Sequence, residues 1–278
     1  MPEPVSRIQV NGVELHYIEH GDGLPVVMVH GSLADYSYWE WSEQVQRVSG
    51  DYPVIAYSRR YNHPNRNPPE GNHSAVVEAR DLAGLIEALA TGPVHLVGHS
   101  YGAYTALLFA LDHPGAVRSL VLAEPPLIRW LPDIPGGEGI LEGFLADSWA
   151  PMGRAFREQG PEAGLEASAQ WYFGSPLEEV QKEWRELTVR NVAEWQALTT
   201  SDDAFPMVEY QRVRRLEVPV LVLSGSRNEL GFTALVDERL MELLPDARRV
   251  LIPEAGHEMF LDDPEASARA MLEFFHAH

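Results

Sequence analysis

Val94-His95-Leu96-Val97-Gly98-His99-Ser100-Tyr101-Gly102-Ala103-Tyr104-Thr105-Ala106-Leu107 passes from one apolar run to another through a five-residue turn. Val94–Val97 has the unbroken apolar character of a buried strand, and the run carrying Ala103, Ala106 and Leu107 reads as a helix. The turn between them, Gly98-His99-Ser100-Tyr101-Gly102, fits the G-x-S-x-G pattern. There a strained strand-to-helix turn lifts a serine hydroxyl above a sheet, and glycines clear the steric obstacles to the turn. The five-letter pattern is weak by itself. Its place directly after a strand and at the opening of a helix makes Ser100 the candidate nucleophile.

Working outward, Ile8–Val10 and Val13–Ile18 alternate around Asn11-Gly12, a hairpin signal, and Val26–Val29 and Val54–Tyr57 are short buried strands. A polar loop follows over residues 59–72, long enough to suggest a role beyond connection. Val76, Ala79, Leu82, Ala83, Ile86 and Leu89 then recur at helix spacing until Thr91-Gly92-Pro93. After the serine helix, His113-Pro114 is a stop and Ser119–Ala123 a strand, so parallel β-α-β units are the natural reading. Strand signals vanish between Pro125 and Val218, where helical stretches are broken by prolines and five of the seven tryptophans lie. They return at Val220–Leu223 and Val250–Ile252, with a helical pattern through Leu235, Leu240 and Leu243 between them and a last helix from about Pro264 to Phe275. The expectation is an α/β fold: a mostly parallel central sheet flanked by helices, with a core of residues 1–126 and 216–278 and a helical cap inserted over residues 127–215.

Composition narrows the partners. A formal net charge of −20 opposes nucleic acid and anionic membranes, neither of which gains from an acidic surface. The absence of cysteine excludes disulfides, cysteine nucleophiles and thiolate metal sites. The opening residues lack the apolar core of a signal peptide and no apolar run approaches a membrane span, so a cytoplasmic location is expected. A small-molecule substrate is the expected partner, and the sequence leaves the oligomeric state open.

Two further motifs complete a chemistry. His30-Gly31-Ser32 ends an early buried strand, where the turning backbone could aim the Ser32 N–H at a developing oxyanion; the Tyr101 N–H, at the start of the serine helix, would be the second donor. Gly256-His257-Glu258 follows a strand by a short loop, which makes His257 the candidate base among eleven histidines. His20, His63, His73, His95, His113, His276 and His278 read as loop, strand or tail residues, and His99 as packing beneath the turn. No H-E-x-x-H or equivalent pair suggests a metal, and no cofactor is expected.

With His30-Gly31-Ser32, Gly98–Gly102 and Gly256-His257 in this order, the chain resembles the α/β-hydrolase superfamily over nearly its whole length outside the cap. The resemblance implies serine hydrolase chemistry, and a serine rather than an aspartate at the turn argues against epoxide hydrolysis and dehalogenation. The family usually carries its triad acid in a Gly-x-x-Asp segment after the strand that follows the cap. Here Gly225-Ser226-Arg227-Asn228 puts Asn228 in that place. Some members carry the acid at the end of the strand after the nucleophile, which points to Glu124; the neighbouring Glu229 and an acid-free arrangement stay open. Arg59-Arg60 implies either a clamp for a substrate carboxylate or, more in keeping with so acidic a chain, a structural role. Trp130, Trp149 and Trp171 in the cap are the candidate substrate-binding residues for an apolar or aromatic ester-like molecule. The expected activity is hydrolysis of a small carboxylic ester or lactone through an acyl-enzyme. Carbon–carbon bond hydrolysis or cofactor-free perhydrolysis are alternatives with the same residues, and a ligand receptor that has lost catalysis is the alternative from another class.

Overall fold

A computed structural model describes residues 4–69 and 71–278 of the chain. β1 (Ser6–Val10) and β2 (Val13–His20) form the antiparallel hairpin, with Val10 opposite Val13 and positive φ at both Asn11 and Gly12, as a two-residue Asn-Gly turn favours. β3 (Val26–Val29), β4 (Val54–Tyr57), β5 (Val94–His99), β6 (Val117–Ala123), β7 (Val220–Gly225) and β8 (Ala247–Ile252) complete one sheet in the order β1-β2-β4-β3-β5-β6-β7-β8. β2 meets β4 antiparallel, and all later neighbours are parallel.

The continuous apolar runs are explained by burial on both faces. Val27, Val29, Ile55, Leu96, Leu120, Leu122, Val220 and Val222 pack with the helices Ala75–Leu89, Tyr101–Asp112 and Thr233–Leu243. The alternate residues Val26, Met28, Val54, Ala56, Val97, Val121, Leu221 and Leu223 face Trp39, Val45, Val48, Met271 and Phe274 on the other side. Strand residues thus separate by the period of two into two cores. β8 is longer than its apolar tail suggested, because it is the edge strand and its first half carries the partly exposed Arg248 and Arg249, the kind of charge that blunts an open edge.

Every element between β6 and β7 is helical, including Gly137–Gly143, a π-helical turn at Phe144–Trp149, Ala150–Gln159, Pro161–Phe173, Lys182–Arg190 and Val192–Thr199. This layer docks on the sheet edge through specific polar contacts: Arg190 holds Asp35 through two hydrogen bonds of 2.7 and 2.9 Å, and Asn191 adds a third at 2.9 Å. Among the described residues no helix is long and apolar enough to cross a membrane.

Parallel strands place all their carboxyl ends at one edge, where ligands bind in open α/β sheets. The segments after β3, β5, β6, β7 and β8 therefore converge beneath the cap. At two glycines there, backbone packs directly against backbone. A Cβ on Gly102 would stand 2.2 Å from the Val29 carbonyl oxygen, and one on Gly98 would stand 2.5 Å from the Ala103 Cα. Gly102→Ala should accordingly lower stability by about 3 kcal/mol, the upper range for overpacking. Gly115→Ala, with nothing within 4 Å of the added carbon, should change it by less than about 0.5 kcal/mol. Urea unfolding midpoints compare the two, and equal midpoints would contradict the packing account.

Candidate active site

Ser100 sits at φ 52° and ψ −121°, a conformation that a non-glycine residue adopts only when its surroundings hold it there. Its N–H donates to the Ala123 carbonyl at 2.8 Å, and its own carbonyl accepts from Ala103 and Tyr104 in the first helical turn. The turn is thus tied to the end of β6 on one side and to its helix on the other. Ser100 and His257 both line one cavity under the cap.

The end of β6 supplies Glu124, again at positive φ (47°) and buried, with Pro125-Pro126 behind it. One carboxylate oxygen lies 2.6 Å from Nδ1 of His257; the other accepts the Gly225 N–H at 3.0 Å. With Nδ1 engaged, Nε2 is the imidazole nitrogen left for Ser100. Burial pulls the His257 pKa down, but the Glu124 hydrogen bond and the charges of Glu124, Glu258 and Glu229 outweigh it, so the net shift is upward from 6.5. The other two candidate positions for an acid lie elsewhere. The Asn228 side-chain oxygen accepts from the Thr233 hydroxyl and the Ala234 N–H, capping the next helix. Glu229 accepts the backbone N–H of His257 at 3.2 Å and pairs with Arg227 at 3.0 Å, touching the loop rather than the imidazole.

His99 packs under the turn as its sequence position suggested and also makes a contact the sequence did not reveal. Its Nε2–H donates to the His257 carbonyl at 2.9 Å while its ring stacks on Tyr38. Burial lowers its pKa, keeping it a neutral donor. The loop is further held by backbone crowding, since a Cβ on Gly225 would stand 2.1 Å from the Gly256 oxygen.

Opposite these lies the loop Gly31–Leu33. The Gly31 carbonyl accepts from His30 Nδ1–H at 2.8 Å and from Arg59 Nη2 at 3.0 Å, while His30 Nε2 accepts the Arg59 N–H at 3.1 Å. Burial and the neighbouring Arg59 push the His30 pKa down to about 3, so it is neutral and its tautomer is set by these partners. In a trans peptide the N–H points opposite to the C=O, so pinning the Gly31 carbonyl turns the Ser32 N–H the other way. Gly31 itself lies against the serine turn: a Cβ there would be 3.1 Å from the Ser100 Cβ. Arg59 is fully buried between Glu78 and Glu194, and Arg60 grips Asp81 with two hydrogen bonds. The arginine pair is thus consumed inside the protein, and neither residue lines the cavity.

The cavity walls are largely aromatic. Trp149 and Trp171 contribute, as do Trp184, Trp195, Phe144, Phe205 and Phe232, which carry no periodic or motif signal that separates them from core aromatics. Trp130 is not among them: it is fully buried and its indole N–H donates to the Val208 carbonyl at 2.8 Å, so it ties the first and last segments of the cap together. Glu258, next to His257, accepts from the Tyr38 hydroxyl at 2.8 Å and from the Tyr172 hydroxyl of the cap. Burial and this carboxylate push both phenols up, so they donate as neutral groups. A vestibule of about 430 Å³ adjoins the cavity and is bordered by Glu229 and Glu258. His99, His257 and Glu258 each bring a ligand atom within 4.8 Å of the others. Both Glu258 oxygens already accept a phenol hydroxyl, His99 Nε2–H is committed to the His257 carbonyl, and His257 Nδ1 faces Glu124.

Comparison with known proteins agrees with this architecture. Residues 26–270 match the model of the alpha/beta hydrolase family. The 2-(acetamidomethylene)succinate hydrolase of Mesorhizobium japonicum is 27% identical over 98% of this chain and 95% of its own. Among solved structures, a thermophilic esterase from Thermogutta terrifontis superposes with a TM-score of 0.75 at 25% identity, covering 99% of this chain and 98% of that one. The enol-lactonase of Burkholderia xenovorans LB400 does so with a TM-score of 0.78 at 20% identity, covering 97% and 99%. With the family model spanning β3 to β8, the serine turn and the histidine loop, the chain belongs to the alpha/beta hydrolase family.

Proposed function

We propose that this hydrolase cleaves small, uncharged carboxylic esters or lactones through an acyl-enzyme formed on Ser100. The observation that carries the reading is the buried Glu124–His257 contact of 2.6 Å beside the serine turn. In this reading Ser100 Oγ attacks the carbonyl carbon while His257 Nε2 takes its proton, and Glu124 holds the imidazole in the productive tautomer and stabilises the imidazolium. The N–H groups of Ser32 and Tyr101 receive the oxyanion, the latter at a helix N-terminus whose dipole adds to the attraction. His257 then returns its proton to the departing alkoxide. Water, activated by the same imidazole, attacks the acyl-enzyme and releases the acid.

The walls support the substrate class. Neither the cavity nor its vestibule is lined by lysine or arginine among the described residues, and both are bordered by carboxylate. A substrate dianion of the kind named in the Mesorhizobium enzyme would meet no counter-charge here. An apolar or aromatic group would meet tryptophan and phenylalanine.

Wild-type protein should therefore turn over p-nitrophenyl esters of short neutral acids and discriminate against succinate half-esters. Ser100→Ala should abolish turnover and labelling by a fluorophosphonate; retention of activity within tenfold of wild type would end the serine assignment.

Glu124→Gln should lower kcat by about 10⁴-fold, as replacing a triad carboxylate by its amide does elsewhere, and Asn228→Ala far less. The pH profile carries the sign. The base works deprotonated, so its raised pKa predicts that kcat/KM climbs with pH through a midpoint above 6.5. In Glu124→Gln the charge that favours imidazolium is gone and burial dominates, so the midpoint should move to lower pH. A midpoint that stays in place would mean that Glu124 does not face the titrating base.

Trp149→Ala and Trp171→Ala should reorder the preference for esters by acyl chain length. Trp130→Ala should instead lower thermal stability without changing that order.

A further inference from the structure

We infer that Glu194 of the cap is a positioning residue for the oxyanion site, so that the cap completes the catalytic centre as well as covering it. The inference rests on the reading of Ser32 as an oxyanion donor. Glu194 lies on the helix Val192–Thr199, remote in sequence from every catalytic motif, and its side chain is completely buried. One of its oxygens accepts from Arg59 Nη2 at 2.8 Å; the other accepts the backbone N–H of Leu33 at 3.2 Å.

These two bonds grip Ser32 from both sides. The peptide before Ser32 is held at the Gly31 carbonyl by His30 and by the same Arg59 nitrogen that Glu194 binds. The peptide after it is held at the Leu33 N–H by Glu194 itself. Leu33 has φ 60°, the left-handed region that a leucine side chain disfavours, so the loop needs external partners to keep this shape. Within the core, Glu78 receives the other arm of Arg59 and is itself bound by His73 and Thr105. The guanidinium is thereby fixed from the core, and Glu194 is what the cap adds. A carboxylate is needed because it offers two acceptor oxygens, whereas a glutamine side chain has one and can serve Arg59 or Leu33 but not both.

Glu194→Gln is expected to lower kcat by about 10²-fold, comparable to losing one oxyanion donor, with KM within about threefold of wild type. The readout that a merely structural role would not move is a pair of inhibitors built on one ester: a trifluoromethyl ketone, which binds as a tetrahedral oxyanion adduct on serine, and the corresponding ether, which forms none. The ketone should weaken by the same factor as kcat/KM while the ether binds as to wild type. Glu194→Asp, which keeps the charge but draws it back, should behave the same way and provides the comparison if the amide variant does not fold. Arg190→Gln, which breaks the separate cap contact to Asp35, should leave the ratio of ketone to ether affinity unchanged. Equal weakening of both inhibitors in the Glu194 variants, a ketone affinity equal to wild type, or the same selective loss in Arg190→Gln would each overturn the inference. Failure of the serine reading is separate: it would appear in wild-type protein as absence of a covalent ketone adduct that Ser100→Ala removes.

Discussion

The contact between Glu124 and His257 sets the terms for the rest of the site. A histidine buried this deeply would shed its charge, and a base that cannot hold a proton in the transition state is of little use to an attacking serine. Glu124 reverses that tendency, and its own burial is made tolerable by the Gly225 N–H on its second oxygen. For the carboxylate to reach Nδ1, the chain leaves β6 at a positive φ and the histidine loop comes so close to β7 that Gly225 leaves no room for a side chain, while Gly256 lies against the Glu229 carboxylate. With Glu124 at the end of β6 facing His257, Asn228 at the end of β7 caps a helix instead.

The same dryness that sharpens this pair makes other charges expensive, and the fold places them where they fix geometry. Arg59, Glu78 and Glu194 are all withdrawn from water. Such a cluster contributes little net stability, because the desolvation of each ion offsets the attraction, but removing one member leaves another stranded. Its value lies in direction: it holds one carbonyl and one N–H of the loop beside Ser100, and it joins the cap to that loop. Around it the inserted helices supply aromatic cavity walls as well as Glu194, the member of the ionic cluster that does not come from the core.

Much of this was legible in the amino-acid order. Strand–turn–helix at Gly98–Gly102, the runs buried on both faces, the proline-broken helical insertion and the short motifs around Ser32 and His257 are local patterns, written in residues adjacent to one another. The contact between Glu124 and His257 also left a trace, in Glu124 at a strand end and Asn228 where the resembled family usually carries a carboxylate. The start of β8 was hidden because an edge strand carries arginine in place of the apolar run that marks a buried one.

What the sequence by itself determined, then, is the sheet, the turn and the candidates for nucleophile, base and acid, since backbone sterics and apolar periodicity act over a few residues. Tertiary structure alone decided which tryptophans face the cavity and which, like Trp130, are core. It also decided that Arg59 turns inward and that His99, Glu258 and Glu194 attend the site. Those choices depend on which surfaces helices present after docking and on ion pairs formed across long stretches of chain, as between Arg59 and Glu194. No local spacing encodes such distances, because only the packed fold brings these residues together.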